Sequence, residues 1–458
     1  MNRILLLGLS LGLLSACGQE ESLPDDKNDP YASQYRALPS QTVLIRGASV
    51  LTGTGEAAIQ ADVLLSDGKI EKIDQEISVD DEALIVDAKG KWLTPGIIDV
   101  HSHLGVYPSP SVNAHSDGNE ASAPVTAAVW AEHSLWPQDP GFAHALAGGV
   151  TAMQILPGSA NLIGGRSVTI KNVPAQTVQE MKFPGAPYGL KMACGENPKR
   201  VYGNRGGAPS TRMGNVAGYR AAWIKAANYR DQQDAAERGE GEVPDRDLEL
   251  DTLAGVLRGE ILVHNHCYRA DEMAVMLTVA KEFDYKVTAF HHAVEAYKIA
   301  DLLAENQVCA AMWADWWGFK MEAFDGIREN VAIVDAAGKS ACAIVHSDSA
   351  IGIQRLNQEA AKSLAAARRA GLDISEGQAM RWISSNPAKA LGIDDQTGSI
   401  EPGKNADVVL WDKNPFSVYS HAELVFIDGA LVFDRSDPGR QPVSDFTLGT
   451  RADAGAIQ

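Results

Sequence analysis

Positive charge is the first thing this sequence is short of. Against 59 acidic residues stand 40 lysines and arginines, a formal net charge of -19 over 458 residues. No stretch gathers the basic residues into one face, which excludes a nucleic-acid backbone as partner. Cysteine is scarce as well, five in all. Cys194, Cys267, Cys309 and Cys342 each lie in or just after an apolar run, which predicts small buried thiols rather than a disulfide framework. An oxidising compartment would leave a disulfide open. Histidine is limited to 11 residues, so where they fall carries information. With 45% hydrophobic and 22% charged residues the chain is globular, long enough for a large barrel or for two domains with a real core.

The N-terminus reads as an address rather than as fold. Arg3 precedes an apolar run that ends at Leu14, which is the length and polarity of a signal peptide and not of a membrane span. Residues 1–16 end in "LSA" before Cys17, which resembles a bacterial lipoprotein signal in which the cysteine is lipidated and becomes the new N-terminus. Residues 17–40, polar and carrying Pro24, Pro30 and Pro39, follow as a linker. The resemblance implies a lipid anchor at Cys17 on the periplasmic side of a bacterial membrane. Gly18 in place of an acidic residue points to the outer membrane.

Two strand-rich stretches flank the middle. Residues 41–94 alternate in short runs broken by Asp-Gly and Lys-Gly turns, and residues 398–448 repeat the pattern. Both predict parts of one small antiparallel β domain, a β-sandwich formed by the two ends. Between them, over residues 95–397, apolar strands alternate with helical patterns in eight units: "GIIDVHSH", "GVTAMQILPGS", "SVTIKN", "YGLKMACG", "GEILVHNH", "YKVTAFHH", "VCAAMWAD" and "ACAIVHSD". Alternation of this kind predicts a parallel (β/α)8 TIM-like barrel. Arg205 to Leu257 forms a long charged, partly helical insertion that is placed to cover a site.

Seven histidines sit at the ends of those strands: His101, His103, His264, His266, His291, His292 and His346. The ends of barrel strands are where such folds build active sites. Residues i and i+2 of a strand point the same way, so His101 and His103 aim two imidazoles at one place, as a zinc ion requires. By the same alternation His264 and His266 both face inward, whereas His291 and His292 do not. His115, His133, His144 and His421 fall in loops or helical patterns and are given no chemistry.

"PGIIDVHSHLG" is similar to the first-strand signature of the metal-dependent amidohydrolase superfamily. "NPAKALGI" and "GSIEPGKNADVVLWD" resemble its closing segments. The resemblance is to the imidazolonepropionase, isoaspartyl dipeptidase and prolidase-like branch, and it runs from about Gln41 to Phe433. It implies a centre holding a pair of zinc ions on His101, His103, Lys191, His264, His292 and Asp348. Lys191 would be carboxylated by carbon dioxide and bridge the metals, with Glu196 the rival ligand. His266 rivals His264, His291 rivals His292, and the member that does not ligate is expected to touch a ligand or the substrate. His346 shares a face with Asp348 and either orients it or fills core.

On this pattern the expected chemistry is hydrolysis of an amide bond, in a dipeptide or an N-acyl amino acid, with Asp348 as general base and then acid. A cyclic amide, a deamination, or a silent binding lipoprotein are the alternatives. Arg166, Arg200, Tyr202 and Trp316, the last grouped with Trp313 and Trp317, are the candidates for contact with a small-molecule substrate. Homo-oligomerisation is left open.

Overall fold

The computed structural model describes residues 31–442. The expected signal peptide, Cys17 and most of the linker lie outside the described residues. Residues 33–442 fall in one unit, to which everything below belongs. It opens with five strands: β1 (Val43–Val50), β2 (Ile59–Ser66), β3 (Lys69–Asp74), β4 (Leu84–Asp87) and β5 (Trp92–Pro95). Eight more follow in the middle: β6 (Ile97–Ser102), β7 (Val150–Ile155), β8 (Ile163–Lys171), β9 (Gly189–Ala193), β10 (Leu262–Cys267), β11 (Val287–His292), β12 (Cys309–Met312) and β13 (Ala343–Val345). Then come β14 (Val408–Trp411), β15 (Ala422–Ile427) and β16 (Ala430–Asp434).

The two ends of the chain share a single sheet. Its order is β16-β15-β14-β5-β1-β2-β3, with β4 also on β1, and β14 joins β5 antiparallel. Two Asp-Gly pairs make its hairpins. Asp67 and Gly68 hold φ of 49° and 75°, and Asp428 and Gly429 hold 46° and 72°, both left-handed as a type I′ turn demands. The sheet is mixed rather than purely antiparallel, because β4 and β5 both run parallel to β1. Val43, Ile45, Val63, Leu65, Val408 and Phe426 form its buried core.

The middle strands form the second sheet in sequential order from β6 to β13. All eight segments read as barrel strands are present. One departs from expectation: β8 runs antiparallel to both β7 and β9. Only a short link, residues 156–162, separates β7 from β8, too short for the crossover that a parallel pair needs. The apolar residues of the strands and of the surrounding helices form one large buried cluster. Gly96 allows β6 to enter it, since a Cβ there would stand 2.0 Å from the Thr151 hydroxyl on β7.

The sheet closes on a carboxylate. Asp99 of β6 accepts hydrogen bonds from the amide of Ser347 at 3.3 Å and from its hydroxyl. The amide of Asp348 donates to the carbonyl of His101 at 3.1 Å.

Two further expectations are corrected here. The charged insertion is a wall rather than a lid: its long helix, Arg212–Glu237, buries Tyr219, Trp223 and Ala226. Tyr219 donates its hydroxyl to the carbonyl of Ala193, and Trp223 packs on Tyr285 at 4.5 Å. Near the start of the helix Arg212 reaches toward the mouth, pairing with Glu272 and Glu322, and Asn215 donates its side-chain amide to the carbonyl of Gly195 at 2.9 Å.

The cysteines, buried as expected, are not free thiols but two disulfides, Cys194–Cys267 and Cys309–Cys342. The partners are 73 and 33 residues apart in sequence and become neighbours only because β9 lies beside β10 and β12 beside β13. Among the described residues no helix is long and apolar enough to cross a membrane.

Candidate metal centre

The strand ends bring six histidines, a lysine and an aspartate together in the mouth of the barrel, with a seventh histidine packed against them. His101 Nε2 and His103 Nε2 approach the same oxygen, Oδ1 of Asp348, at 3.5 and 3.3 Å. His103 Nδ1 lies 2.8 Å from the carbonyl of Leu156. A carbonyl only accepts, so Nδ1 carries the proton and leaves Nε2 as the atom that meets the carboxylate, as a donor in the imidazolium or as a lone pair shared with a cation. Two imidazole nitrogens converging on one carboxylate oxygen suit a divalent cation. The spacing fits as well, because bonds of about 2.0–2.1 Å at tetrahedral angles set ligand atoms about 3.3 Å apart.

His101 completes a second set. Its ligating atom and those of His292 and His346 all lie within 4.8 Å of one another. The ring of His346 stacks on that of His101 at 5.0 Å, and the His292 ring stands 4.7 Å from it. Both nitrogens of His346, Nδ1 of His292, Nδ1 of His266 and Nε2 of His264 are buried without a hydrogen-bond partner. Buried polar atoms are otherwise nearly always paired, so this many open nitrogens in one place is the mark of a cation site.

Burial keeps the imidazoles in the form that ligates. It is the first cause, with the Lys191 ammonium the second, of the fall of the His264 imidazole to about 3. Burial also takes His346 to about 3, against the opposing charge of Asp348. His101, His266, His291 and His292 are pushed down in the same way, by burial first and then by Lys191 or Lys320 and neighbouring rings.

Lys191, 1% exposed, lies beside His264 in the β9–β10 pairing and 3.4 Å from His101 Nε2. Burial takes its amine down to about 7 despite Asp348. No carboxylate forms an ion pair with it among the described residues. Burial also acts on Asp348, upward, but the His103 hydrogen bond and the charges of His103, His346 and Lys191 outweigh it and hold the carboxyl below its usual range.

One geometric expectation fails. His291 and His292 both face the cluster, although neighbours in a strand should point apart. His291 meets His101 Nδ1 at 2.8 Å and His264 Nδ1 at 2.9 Å, using both of its nitrogens. His292 turns back because its φ is 69°, left-handed, and Ala293 follows at 37°. The alternation therefore ends one residue before the strand does.

The family model described as the Amidohydrolase family matches residues 235–437, which spans β10 to β16. A solved structure of an amidohydrolase from Thermotoga maritima MSB8 is 38% identical, covering 86% of this chain and 100% of that one, with a TM-score of 0.79. The chain belongs to the amidohydrolase family. Amidohydrolase tasK from Hapsidospora irregularis is 33% identical over 462 residues, 92% of this chain but 46% of that protein, so the chain spans about half the length of this relative. A prolidase complexed with N-methylphosphonate-L-proline shares the fold at 16% identity, with a TM-score of 0.53 and coverage of 86% and 99%.

Around this amidohydrolase centre the other candidates separate. Glu196 stands at the start of the helix Glu196–Gly203, and its carboxylate is 3.7 Å from Lys320, not among the histidines. His266 Nε2 faces the side-chain amide of Asn197 at 3.4 Å. Arg166 is turned away from the centre: its Nε donates to Thr252 at 2.8 Å and its guanidinium lies 4.2 Å above the Trp130 ring. Tyr202 is buried and donates its hydroxyl to the carbonyl of Ala123 at 2.6 Å, while Arg200 is exposed on the same helix. Sequence distance alone placed Arg166 and Tyr202 near the mouth, whereas Arg200 does stand close enough to Lys320 for its charge to add to burial in lowering that ammonium.

Trp316 does reach the mouth, lining a cavity with His292, Trp313 and Trp317. Sequence reasoning missed Asp99, whose carboxyl is pushed up to about 7 by burial against the hydrogen bonds from Ser347 and the His101 amide. A charged residue inside the apolar run "GIIDV" is the signal that points to it. It also missed Lys320, whose ammonium lies 3.8 Å above the Tyr268 ring.

Proposed function

We propose that the chain is a divalent-metal-dependent amidohydrolase that cleaves the amide bond of a dipeptide or an N-acyl amino acid, with Asp348 moving the proton. The observation that carries this is the meeting of His101 Nε2 and His103 Nε2 at one oxygen of Asp348. His101, His103, His264, His292 and Asp348 are the residues to hold a pair of zinc ions, with Lys191 as a carboxylated bridge. A buried amine without a carboxylate partner supports that last role, because reaction with carbon dioxide removes its charge and supplies two oxygens. The chemistry supplied there by divalent cations is polarisation of a substrate carbonyl and acidification of water.

The chain's own residues do the rest. His103 is held in one tautomer by the Leu156 carbonyl, which fixes its ring. Asp348, 23% exposed at its side chain and ionised at neutral pH, accepts the proton that attacking water loses and delivers it to the leaving nitrogen. Its φ of 49° directs the carboxylate into the mouth. The test is a metal analysis with a substrate panel. About two divalent ions per chain are expected, with hydrolysis of open-chain amides lost by a factor of about a thousand or more in Asp348→Asn. Turnover of cyclic amides or ring amines with none of open-chain amides would overturn the substrate class. Tight binding without turnover in metal-replete protein would make the chain a binding protein.

We propose further that the mature chain begins at a lipidated Cys17 on the periplasmic side of a bacterial outer membrane. Two disulfides support an oxidising compartment. Cys17→Ser should release the protein from membranes, and unchanged retention would refute the anchor.

A further inference from the structure

Between β12 and the short helix Asn330–Asp335 a cavity of about 260 Å³ opens beside His292. Its walls are flat. Trp313, buried, stacks on His292 at 4.3 Å with 28° between the planes, and Trp316 stacks on Trp313 at 4.7 Å and 14°. Trp316 is 39% exposed, so a column of π faces, Trp316 on Trp313 on His292, runs from solvent down to the histidine cluster, and Trp317, 58% exposed and packed on Phe324 at 4.9 Å, stands beside it on the cavity wall. Such faces accept a ring, by stacking or edge contact.

Two charged side chains share the cavity, and they differ. The Asp315 carboxylate is held by Lys362 at 2.8 Å. Arg328 is exposed and forms no ion pair among the described residues. A guanidinium with open donors suits a carboxylate, which it can grip with two parallel hydrogen bonds. Just below the roughly 300–1,000 Å³ of ligand pockets, the space suits one residue and no continuing chain.

We propose that this cavity makes the enzyme selective for N-acyl amino acids and dipeptides whose carboxyl-terminal residue is aromatic. The ring lies against Trp316 and Trp317, the α-carboxylate meets Arg328, and the amide on the same α-carbon is presented toward His292 and Asp348. The aromatic amino acid is then the leaving group. This rests on the amide-hydrolase proposal above, and it adds which half of the substrate is recognised and by what.

The experiment has a binding arm and a turnover arm. In metal-replete Asp348→Asn protein, indole fluorescence is followed during titration with N-acetyl-L-phenylalanine, N-acetyl-L-alanine and N-acetyl-L-phenylalanine amide. The first is expected to bind at least about tenfold more tightly than either of the others. Adding Arg328→Gln should remove the preference for acid over amide, and Arg328→Lys should keep part of it. Adding Trp316→Ala should remove the preference for phenylalanine over alanine. Both side chains are exposed, so the variants retain the fold. Equal binding of all three ligands, or preferences unmoved by the substitutions, overturns the proposal. In the turnover arm, wild-type enzyme that hydrolyses both acetyl amino acids with the same KM also overturns it while leaving amide hydrolysis intact. The binding pattern without any turnover leaves the cavity as assigned and removes the hydrolase proposal.

Discussion

The carboxylate of Asp99 takes hydrogen bonds from the amide and the hydroxyl of Ser347, and so ties the first barrel strand to the last. His101 stands two residues beyond Asp99, and Asp348 follows Ser347, so the tie sets the distance between a ligand and the proton carrier. Asp99→Ala is expected to cost about 1–3 kcal/mol of stability by leaving the two donors unpaired. It should also lower kcat more than it raises KM. A mutant that loses stability but keeps its full kcat would show that the tie is only structural.

The same carboxyl gives a pH dependence with a definite sign. Burial raises Asp99 to about 7 in the folded chain, from an ordinary value of 3.8. The fold therefore holds a proton that the unfolded chain has released, and stability falls as pH rises from about 4 to about 7, by at most about 1.4 kcal/mol per unit from this group. Urea unfolding of chelator-treated protein across that range should show the slope, and Asp99→Asn should flatten it.

Much of this was legible before the fold was known. The order of the eight strands followed from runs such as "GIIDVHSH", and the face shared by His101 and His103 followed from the two-residue period. What was not legible depends on contacts between distant segments or on single backbone angles. The disulfides needed the neighbourhood of β9 and β10. The turn of His292 needed a left-handed φ that no neighbouring glycine announces. Arg166 was misplaced because β8 runs antiparallel and its partner, Thr252, is 86 residues away in the chain.

Lys191 makes its own prediction. If it is carboxylated, protein equilibrated with carbon-13 bicarbonate should show one carbamate carbonyl resonance, absent in Lys191→Met. That variant should bind about one metal equivalent fewer and lose most activity. A wild-type protein with full metal and no carbamate signal would assign Lys191 a role outside the ligand set.

The Cys194–Cys267 disulfide lies three residues past Lys191 and one past His266, so it clamps two strands that carry the centre. In loop-closure entropy it is worth about 4 kcal/mol. Cys194→Ser with Cys267→Ser should lower Tm and loosen metal binding together. The pair Cys309→Ser and Cys342→Ser, between the starts of β12 and β13, should lower Tm alone. Equal effects of the two pairs on metal affinity would remove any special role for the first.

The histidines of the last strands can be sorted by which nitrogens they have left. His291 spends both nitrogens on His101 and His264, while His346 has both open and His292 has Nδ1 open. His292→Ala is therefore expected to remove a ligand and lose metal outright. His291→Ala should keep the metal count and weaken affinity by about 10–100-fold, as expected for a residue that orients ligands. His346→Ala decides whether its open nitrogens serve the metal. Loss of metal would add it to the ligand set, and an unchanged count with altered KM would make it a substrate contact. Metal analysis after dialysis against graded chelator separates the three outcomes, since it reads occupancy and affinity without requiring turnover.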